Sequence, residues 1–409
     1  MNTQNKKPNI RFNQFKELWK VVKLDSISQK VKSKNINNSF ENVLTNSAEF
    51  GIVPQRDFFD KDIANLKSLS GYYVVQPNDF VYNPRISNKA PVGPIKANFL
   101  NITGVMSPLY YVFRTQNIDV FFLAKYFDSS YWHKFMKLNG DTGARLDRFA
   151  IKDSVFKEMP IPFPSLAEQS TIGSLFRTLD DLLSSYKDNL TNYQSLKATM
   201  LSKMFPKAGQ TIPEIRLDGF EGEWELIKLG EVCDLITKGT TAKSQSEQGK
   251  VNFVKVENLK DNEIYSVVKI SEEEHLGSLK RSILFEGDIL FSIAGTLGRT
   301  AIVRNNVLPA NTNQALAIIR GYKLDAYFLL VVLSGEVVKD YIRKNPTVGA
   351  QPNLSLEQVS SLKIQAPSIE EQQAIGAYFS NLDNLINSHQ EKISQLEILK
   401  KKLLQDMFI

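Results

Sequence analysis

The feature that most constrains this chain is an internal repeat of two helical segments. Residues 164–205 align without a gap on residues 367–408, at an offset of 203 positions and with 16 identities in 42 positions. The identities run from Pro164/Pro367 to Phe205/Phe408. Self-similarity of this length indicates a duplicated structural unit.

The repeat extends upstream, where a short pattern recurs at an offset of 205. Ile10-Arg11, Phe15, Trp19 and Lys23-Leu24 reappear as Ile215-Arg216, Phe220, Trp224 and Lys228-Leu229. The regions between diverge but keep their order. Residues 73–82, with a turn at Pro77-Asn78-Asp79, and residues 284–291, with a turn at Glu286-Gly287-Asp288, both predict hairpins.

Each helical segment opens with a proline and a capping-box pattern, Ser165 with Glu168 and Ser368 with Glu371. Apolar residues then follow at heptad spacing, which is typical of a coiled-coil seam. These positions are Ile172, Leu179, Tyr186, Tyr193 and Met200 with Phe176, Leu183 and Leu190, and Ile375, Leu382, His389, Leu396 and Leu403 with Phe379, Ile386 and Ile393. At 1.5 Å per residue, each helix is a rod of about 60 Å.

The sequence therefore predicts an α+β fold of two tandem pseudo-repeated units. Each is a mixed α/β globular domain followed by a long helix, and the two helices pair as an antiparallel coiled coil with the domains at opposite ends. The predicted segments are a disordered tail (1–9), a first domain (10–163), a central helical spacer (164–205), a linker (206–214), a second domain (215–366) and a C-terminal helical spacer (367–409).

Composition excludes several classes of protein. Hydrophobic residues make up 42% of the chain and charged residues 23%, which suits folded domains. The single cysteine, Cys233, excludes an intrachain disulfide. Residues 1–9 lack the pattern of a signal peptide, and the apolar run 327–333 is too short to span a bilayer, so we expect a cytoplasmic protein. The formal charge of +6 fits a nucleic-acid partner or a solvated basic face.

The chemistry-bearing motifs of common enzymes are missing. Residues 239–244 lack the second glycine of a phosphate loop, and residues 295–300 favour a hairpin turn over a dinucleotide fingerprint. Asn83-Pro84-Arg85-Ile86 lacks the second proline and the aromatic residue of amino-methylating enzymes. His133, His275 and His389 have no partner at metal-ligand spacing, and Cys233 fits a buried small hydrophobe better than a nucleophile. We expect no catalytic residue, metal or cofactor on this chain.

One ordered set of motifs carries a family resemblance. Pro-x-x-x-Glu-Gln-x-x-Ile occurs at residues 164–172 and 367–375, each time before a heptad helix. Each copy also follows a divergent domain that opens with Arg-x-x-x-Phe-x-x-x-Trp-x-x-x-Lys-Leu. Over almost its whole length, the chain resembles the specificity subunit of type I restriction-modification enzymes.

The resemblance implies a non-catalytic subunit with two target-recognition domains. Each domain would read one half of a split, asymmetric double-stranded DNA site, and the helix pair would set the gap as a ruler, with half-sites about one turn apart. It implies that the helices dock two DNA methyltransferase subunits and that the assembly recruits restriction and translocation subunits. S-adenosylmethionine, ATP and Mg would then belong to those partners.

Candidate DNA contacts are loop residues able to bind phosphates or base edges. In the first domain they are Asn83, Arg85, Ser87, Asn88, Lys89, Lys96, Arg145 and Arg148. In the second they are Lys238, Thr240, Thr241, Lys243, Arg299, Asn311, Thr312, Asn313, Gln314, Gln351 and Asn353. The alternative for each is a solvated residue or a turn former, and the run 311–314 suits adenine reading and a backbone network equally.

Candidate partner contacts are the residues repeated in the first turns of both helices. They are Glu168, Gln169, Gly173, Phe176, Glu371, Gln372, Gly376 and Phe379. Because the helical copies are far more alike than the domains, both helices are expected to bind the same partner. Glycine inside a helix is unfavourable, so Gly173 and Gly376 indicate close backbone approach to a packed partner or fraying near the cap.

Two other functions remain open on the sequence. A coiled-coil adaptor whose domains bind protein would show little dependence on salt, whereas phosphate contacts lose affinity steeply as salt rises. A single-chain nuclease or methyltransferase with an unrecognised site would be active without partner subunits.

Overall fold

The computed structural model describes residues 7–58, 66–142, 147–207, 209–243, 249–265, 267–345 and 353–409. The chain divides into two compact units, unit 1 with Met1–Lys187 and Glu391–Ile409, and unit 2 with Asp188–Gln390. Each unit therefore combines a globular domain with one end of both long helices. Of the predicted tail, residues 1–6 lie outside the described residues, whereas Pro8 is buried and the Ile10 amide donates to the Asp406 carbonyl at 2.9 Å.

The first domain is built from short strands and helices. Its strands are β1 (Lys20–Lys23), β2 (Ser28–Lys30), β3 (Leu44–Ser47), β4 (Gly51–Pro54), β5 (Tyr73–Val75), β6 (Phe80–Tyr82), β7 (Ile95–Ala97), β8 (Gly104–Met106), β9 (Tyr111–Thr115), β10 (Asp141–Thr142), β11 (Phe149–Ala150) and β12 (Pro160–Phe163). Its helices are α1 (Leu24–Ile27), α2 (Gln55–Phe58), α3 (Val120–Asp128), α4 (His133–Asn139) and α5 (Asp153–Phe156), and the long helix α6 (Leu166–Lys203) follows.

The second domain repeats this plan. Its strands are β13 (Glu225–Lys228), β14 (Cys233–Lys238), β15 (Val251–Val254), β16 (Leu259–Lys260), β17 (Glu263–Ile264), β18 (Val268–Ile270), β19 (Ile289–Ser292), β20 (Thr300–Ile302), β21 (Ala310–Thr312), β22 (Leu316–Tyr322) and β23 (Lys363–Ala366). Its helices are α7 (Glu272–Leu276), α8 (Ala326–Ser334), α9 (Glu336–Lys344) and α10 (Leu356–Ser360), followed by α11 (Ile369–Asp406). Short 3₁₀ turns lie at Leu66–Gly71, Leu229–Glu231, Val256–Asn258, Lys280–Ser282 and Asn305–Val307.

Both domains centre on an antiparallel four-stranded sheet of the same order, β2-β9-β6-β7 in the first and β14-β22-β19-β20 in the second. In both, the strand after the opening tryptophan pairs with the strand before the long helix, as β1 with β12 and β13 with β23. The second domain adds the sheet β18-β15-β21, in which β15 and β21 are parallel. The two domains thus share the arrangement of their central sheets, as the repeat in the sequence predicts.

The central strands read as continuous apolar runs because both faces of the sheet are covered. Phe80 and Tyr82 point into a core with Phe113 and α3, whereas Val81 packs into a second cluster on the opposite face. The same alternation places Ile289 and Phe291 in one core of the second domain and Leu290 in another. Side chains at successive strand positions point to opposite faces, so a three-residue apolar run can serve two cores.

The long helices follow the predicted heptads. In α6, Ile172, Phe176, Leu179 and Leu183 are buried, and the later positions at this spacing, such as Tyr193, are half-buried. Within unit 1, Phe176 stacks on Phe408 and Asp180 pairs with Lys400. Within unit 2, Phe205 contacts Phe379 and Tyr193 contacts His389. In each unit the two helix ends therefore run antiparallel.

The predicted hairpins at residues 73–82 and 284–291 are wrong. Asn78 and Gly287 do turn the chain, with φ of 70° and 85°, but β5 pairs with β8 while β6 pairs with β7 and β9. In the second domain β19 pairs with β20 and β22 instead. The sequence marks the turns at Asn78 and Gly287, but the strands on either side of each turn pair with more distant strands. The glycine-rich hairpin at 295–300 is present, since it joins β19 to β20 with positive φ at Gly295 and Gly298.

Candidate functional site

In both domains a loop follows the third strand in the spatial order of the central sheet, which is β6 in the first domain and β19 in the second. This loop contacts the segment that leads toward the long helix. In the first domain, Arg85 after β6 forms an isolated antiparallel bridge with Arg148 before β11. In the second, Ala294 after β19 forms the same kind of bridge with Asn353. The repeat thus places candidate residues from distant parts of the sequence at one equivalent position in each domain.

Arg85 and Arg148 lie directly opposite each other. Backbone hydrogen bonds on either side fix the pairing, from Phe149 N to Pro84 O at 2.8 Å and from Ile86 N to Asp147 O at 3.1 Å. Arg85 is exposed, and the Arg148 guanidinium reaches Asp147 only at 4.0 Å. Like charges directly opposite on paired strands are unfavourable unless an anion lies between them. The pair is thus suited to a phosphate group.

The other candidates of the first domain have structural roles. Asn83 is buried and uses both ends of its amide on backbone groups, donating to Asn46 O at 2.9 Å and accepting from Arg85 N at 3.0 Å. The Ser87 hydroxyl accepts from Ala90 N within the turn that follows, and Lys89 pairs with Glu49 at 2.6 Å. These side chains shape the loop that carries Arg85.

Two further candidate residues of the first domain are not part of this loop. Lys96 is engaged away from the loop, in an ion pair with Asp128 at 2.6 Å. Arg145 lies outside the described residues.

Candidates of the second domain converge around the end of β15. The Thr312 hydroxyl donates to Val254 O at 3.0 Å. The loop 238–243 lies beside Thr312, since Thr240 N donates to Thr312 O at 3.0 Å. The Thr241 hydroxyl donates to Gln314 Oε1 at 2.6 Å. Thr241 and Gln314 are exposed, so this hydrogen-bonded pair presents polar atoms to solvent.

The run 311–314 divides into a buried and an exposed half. Asn311 is fully buried, with its amide bonded to Leu279 O at 2.8 Å and to His275 Nδ1 at 2.5 Å, and Thr312 is also fully buried. The Asn313 amide oxygen accepts from Ala315 N at 3.2 Å. Asn311, Thr312 and Asn313 are therefore engaged in hydrogen bonds within the chain, and Gln314 alone of the four is exposed.

The remaining candidates border the same loops. The Arg299 guanidinium donates to Val256 O at 3.3 Å and lies in the exposed hairpin between β19 and β20. Lys238 and Lys243 are exposed, and Lys243 N donates to Glu274. Asn353 is exposed beside Ala294, whereas Gln351 lies outside the described residues.

The residues expected to contact a partner are buried against the chain's own domains. Gln169 accepts from Asp119 N at 2.8 Å and donates to Pro164 O at 2.8 Å, and Gln372 accepts from Asp325 N at 3.1 Å. Asp119 and Asp325 cap α3 and α8. All eight residues are buried: Glu168, Gln169, Gly173, Phe176, Glu371, Gln372, Gly376 and Phe379. These residues pack the start of each long helix against the domain that precedes it.

The two glycines permit this seating. A Cβ at Gly173 would lie 2.9 Å from Asp119 Oδ1, and one at Gly376 would lie 2.4 Å from Asp325 Oδ1. The close approach predicted from their recurrence is present, but the neighbour is the capped end of the chain's own helix α3 or α8. Fraying near the cap does not explain them.

The capping-box glutamates also differ from expectation. Ser165 and Ser368 accept from the amides three residues on, at 3.3 and 3.4 Å, as predicted. Glu168, however, binds Arg11 through both carboxylate oxygens instead of reaching back to the cap. Glu371 binds Arg216 in the same way. The arginine of each upstream Ile-Arg motif therefore pairs with the glutamate in the first turn of the long helix.

A chain of alternating charges links the first domain to both helices in unit 1. Lys96 contacts Asp128, Lys125 contacts Asp128 at 3.0 Å and Asp180 at 2.7 Å, and Lys400 contacts Asp180 at 2.5 Å. Burial lowers the pKa of Lys125, but the two carboxylates outweigh it and leave the pKa raised. In unit 2, the repeat-equivalent pair Lys197–Asp383 is present, and the Tyr327 hydroxyl donates a hydrogen bond to Asp383.

Sequence reasoning missed the exposed apolar residues of the helices. Leu182 and Leu385 are repeat equivalents, as are Leu196 and Leu399, and all four are between 39% and 44% exposed. They lie off the heptad seam. The signal available from the sequence was the recurrence of these leucines at an offset of 203, outside the heptad positions.

The described parts of the chain show no cluster of three or more His, Cys, Asp or Glu side chains that could hold a metal ion. Cys233 is half-buried, and burial together with Asp234 raises the pKa of its thiol to about 11. A thiol that stays protonated is a poor nucleophile. Within the same described ranges, none of the helices is both long enough and apolar enough to cross a membrane.

Comparison with known proteins gives consistent matches. Residues 221–398 match the family model described as the type I restriction modification DNA specificity domain. The chain is 25% identical over 264 residues to the type I restriction enzyme MjaVIII specificity subunit of Methanocaldococcus jannaschii, covering 62% of each chain. It is 25% identical over 266 residues to the EcoBI specificity subunit of Escherichia coli, covering 58% of this chain and 55% of that one. The matches thus span less than two thirds of the length of these relatives.

Solved structures share the fold. The crystal structure of a type I restriction-modification S subunit from M. genitalium superposes with a TM-score of 0.61 and 16% identity, covering 98% of this chain and 99% of that one. A chain from a study of complex assembly and conformational transition of the type I R-M system gives a TM-score of 0.50 and 18% identity over 95% of this chain and 97% of that one. The predicted α+β class with tandem units and long helices is confirmed.

Proposed function

We propose that this chain is a member of the family of type I restriction-modification specificity subunits and selects a split DNA site through its two domains. The matched relatives are specificity subunits of restriction enzymes, which supports the prediction of a specificity subunit.

The observation that carries the proposal is the repeat-equivalent loop in each domain. The two loops follow equivalent strands, β6 and β19, of sheets that have the same strand order. Each loop also pairs with the segment that leads to the long helix of its unit. One loop presents two guanidinium groups, and the other lies beside exposed amide and hydroxyl groups. Cationic groups suit phosphates and amides suit base edges, so two domains with equivalent frames and different side chains fit two different half-sites.

The helices support the spacer and docking parts of the proposal. Each has 38 residues, which corresponds to about 57 Å at 1.5 Å per residue. The exposed leucines at repeat-equivalent positions fit two copies of one partner, and we assign them to the methyltransferase subunits. Restriction and translocation subunits would join that assembly, and S-adenosylmethionine, ATP and Mg would bind those partners. The cytoplasm is the expected location.

A binding titration tests the DNA part. The complex of this chain with methyltransferase subunits is titrated with its DNA site at several salt concentrations. We expect log K to fall linearly with log salt, with a slope of about −0.9 for each phosphate contact. Affinity that does not change with salt would instead support the protein-binding adaptor.

An insertion tests the spacer part. Seven residues are added in heptad register to α6 after Lys187 and to α11 after Gln390, which lengthens each helix by about 10 Å. We expect a longer gap between unchanged half-sites. An unchanged gap with altered base preference would contradict the role of the helices as a ruler.

A further inference from the structure

An aspartate in the first long helix joins three structural elements of unit 1. The Asp180 carboxylate, on α6, binds Lys125 of α3 at 2.7 Å and Lys400 of α11 at 2.5 Å. Lys125 is only 8% exposed, so salt screens its ion pair less than it would screen a surface pair. Asp180 therefore ties the first domain to both helices at one point.

Unit 2 repeats this aspartate link with a different partner from the domain. Asp383 lies 203 residues after Asp180, and it binds Lys197 of α6, the repeat equivalent of Lys400. Its other carboxylate oxygen accepts a hydrogen bond from the Tyr327 hydroxyl of α8 at 3.1 Å. The helix side of the link is thus the same in both units, although one domain supplies a lysine and the other a tyrosine.

The aspartate link is a second polar attachment of each domain to its helix. The first lies in the opening turn, where Gln169 accepts from the Asp119 amide and Gln372 accepts from the Asp325 amide. Each aspartate follows its glutamine by 11 residues, which is about 16 Å along the helix. A body attached at one point can swing about that point, whereas two separated points fix its direction. The aspartates therefore hold the orientation of each domain on the helix pair.

The orientation of a domain matters because the half-sites of a split DNA site follow the DNA helix. With about 10.5 base pairs per turn, one extra base pair in the gap rotates one half-site by about 34° relative to the other. A domain held in one orientation can meet its half-site at one gap length only. A domain that can swing about its first attachment can follow this rotation at neighbouring gap lengths.

We propose that Asp180 and Asp383 are positioning residues that make the complex selective for the length of the gap between half-sites. This rests on the proposed function, since that function supplies the split site and the helical ruler. The length of the helices sets the preferred gap, and the two aspartates set how strictly that gap is required. A carboxylate repels DNA phosphates, so both residues act through the domain that they orient.

The test measures methylation of a plasmid library by the complex of the full chain with methyltransferase subunits. The plasmids carry both half-sites, mapped beforehand by sequencing, at the native gap and at gaps one and two base pairs shorter or longer. The variants are Asp180→Asn, which removes the charge that holds Lys125 and Lys400, and Tyr327→Phe, which removes only the hydroxyl.

We expect methylation by both variants to spread to the gaps that differ by one base pair from the native one. The share of methylation at those gaps should rise about fivefold, which is the factor that corresponds to the loss of one hydrogen bond. The double variant should spread further than either single variant.

Two other variants serve as matched controls. Asp181→Asn removes an exposed carboxylate beside Asp180. Tyr341→Phe removes the hydroxyl of another half-buried tyrosine that packs against the same core as Tyr327. Both controls should keep the wild-type preference for one gap, and the melting temperature of every variant shows whether it is folded.

The outcomes separate this inference from the function on which it rests. Variants that keep the wild-type distribution over gaps would overturn the positioning role even if total methylation falls, because a loss of stability alone lowers methylation at every gap. A broader distribution with an altered half-site would also overturn it, since the aspartates would then affect the reading of bases. A wild-type complex whose methylation does not depend on the half-sites would contradict the proposed function itself.

Discussion

Arg11 holds Glu168 through two hydrogen bonds of 2.6 and 2.8 Å, between side chains that are 6% and 1% exposed. Arg11 lies at the start of the first domain and Glu168 lies in the first turn of α6, so the pair fastens the start of the domain to its helix. Arg216 and Glu371 repeat the arrangement at 2.8 and 2.7 Å. The hydrogen bond with Glu168 raises the pKa of Arg11, and the one with Glu371 raises that of Arg216.

Glu168→Gln should destabilise unit 1 strongly. The amide keeps the volume but leaves the buried guanidinium of Arg11 without its counter-charge, which costs about 3 to 5 kcal/mol for a buried pair. The midpoint of urea unfolding reports the loss. Glu370→Gln, at an exposed glutamate near the start of α11, is the control and should have little effect. Equal midpoints for the two variants would show that the pair does not fasten the domain.

Gly376→Ala should lower stability, although alanine normally stabilises a helix by about 1 kcal/mol relative to glycine. The new Cβ would lie 2.4 Å from Asp325 Oδ1, which caps α8, so the cap or the helix must shift. Gly173→Ala, with its nearest contact at 2.9 Å, should have a smaller effect. Thermal melting of the two variants measures this order, and a melting temperature above that of the wild type would contradict the close approach.

Asp128→Asn should alter the acid dependence of stability. Burial raises the pKa of Asp128, but Lys96 and Lys125 outweigh it and hold the pKa below its ordinary value of 3.8. A lowered folded-state pKa gives stability that is present above the ordinary value and is lost as the pH falls through the folded one. The gap in unfolding free energy between wild type and variant should therefore be full at pH 7 and shrink below about pH 4.

Urea unfolding at a series of pH values measures that gap. Asp181→Asn, at an exposed carboxylate of α6, is the matched control. A gap that stays constant from pH 7 to pH 2 would mean that the Asp128 carboxylate does not stabilise unit 1 by its charge.

Arg148→Gln should separate DNA affinity from stability. Without DNA, removing one of two opposed guanidinium groups relieves repulsion, so the unfolding free energy should stay equal or rise by a few tenths of a kcal/mol. With DNA, affinity should fall and the salt slope should decrease by about 0.9 for a lost phosphate contact. Lys16→Gln, at an exposed lysine away from the loop, is the control. A variant that is less stable but binds DNA normally would assign Arg148 to the fold.

The sequence predicts the parts of this fold that depend on short-range patterns. Gly295 and Gly298 mark a real hairpin because positive φ at a turn is a local requirement. The heptads of α6 and α11 mark the buried stripe because helical periodicity is local as well. Strand pairing is a long-range choice, and the turn at Asn78 did not reveal that β5 pairs with β8.

Long-range contacts at the candidate site are likewise not predictable from short-range sequence patterns. The recurrence of Gln169 as Gln372 indicates that this face of the helix is buried in a contact. The sequence does not show whether the contact is with another subunit or, as in the structure, with Asp119 of the same chain. Asn83 and Asn311 resemble base-reading amides in sequence, yet both are buried and bonded within the chain. The sequence marks Arg85 and Arg148 as separate candidates, but only the fold shows that they lie opposite each other.

The most direct test of the account is single-molecule sequencing for methyl-adenine in cells that carry this gene with its methyltransferase partner. The account predicts methylation at one split, asymmetric motif that disappears when the gene is removed. Replacing residues 10–163 with those of a relative should change one half of that motif only. A methylated motif that persists without the gene, while partner and S-adenosylmethionine are present, would contradict the claim that this chain selects the DNA sequence.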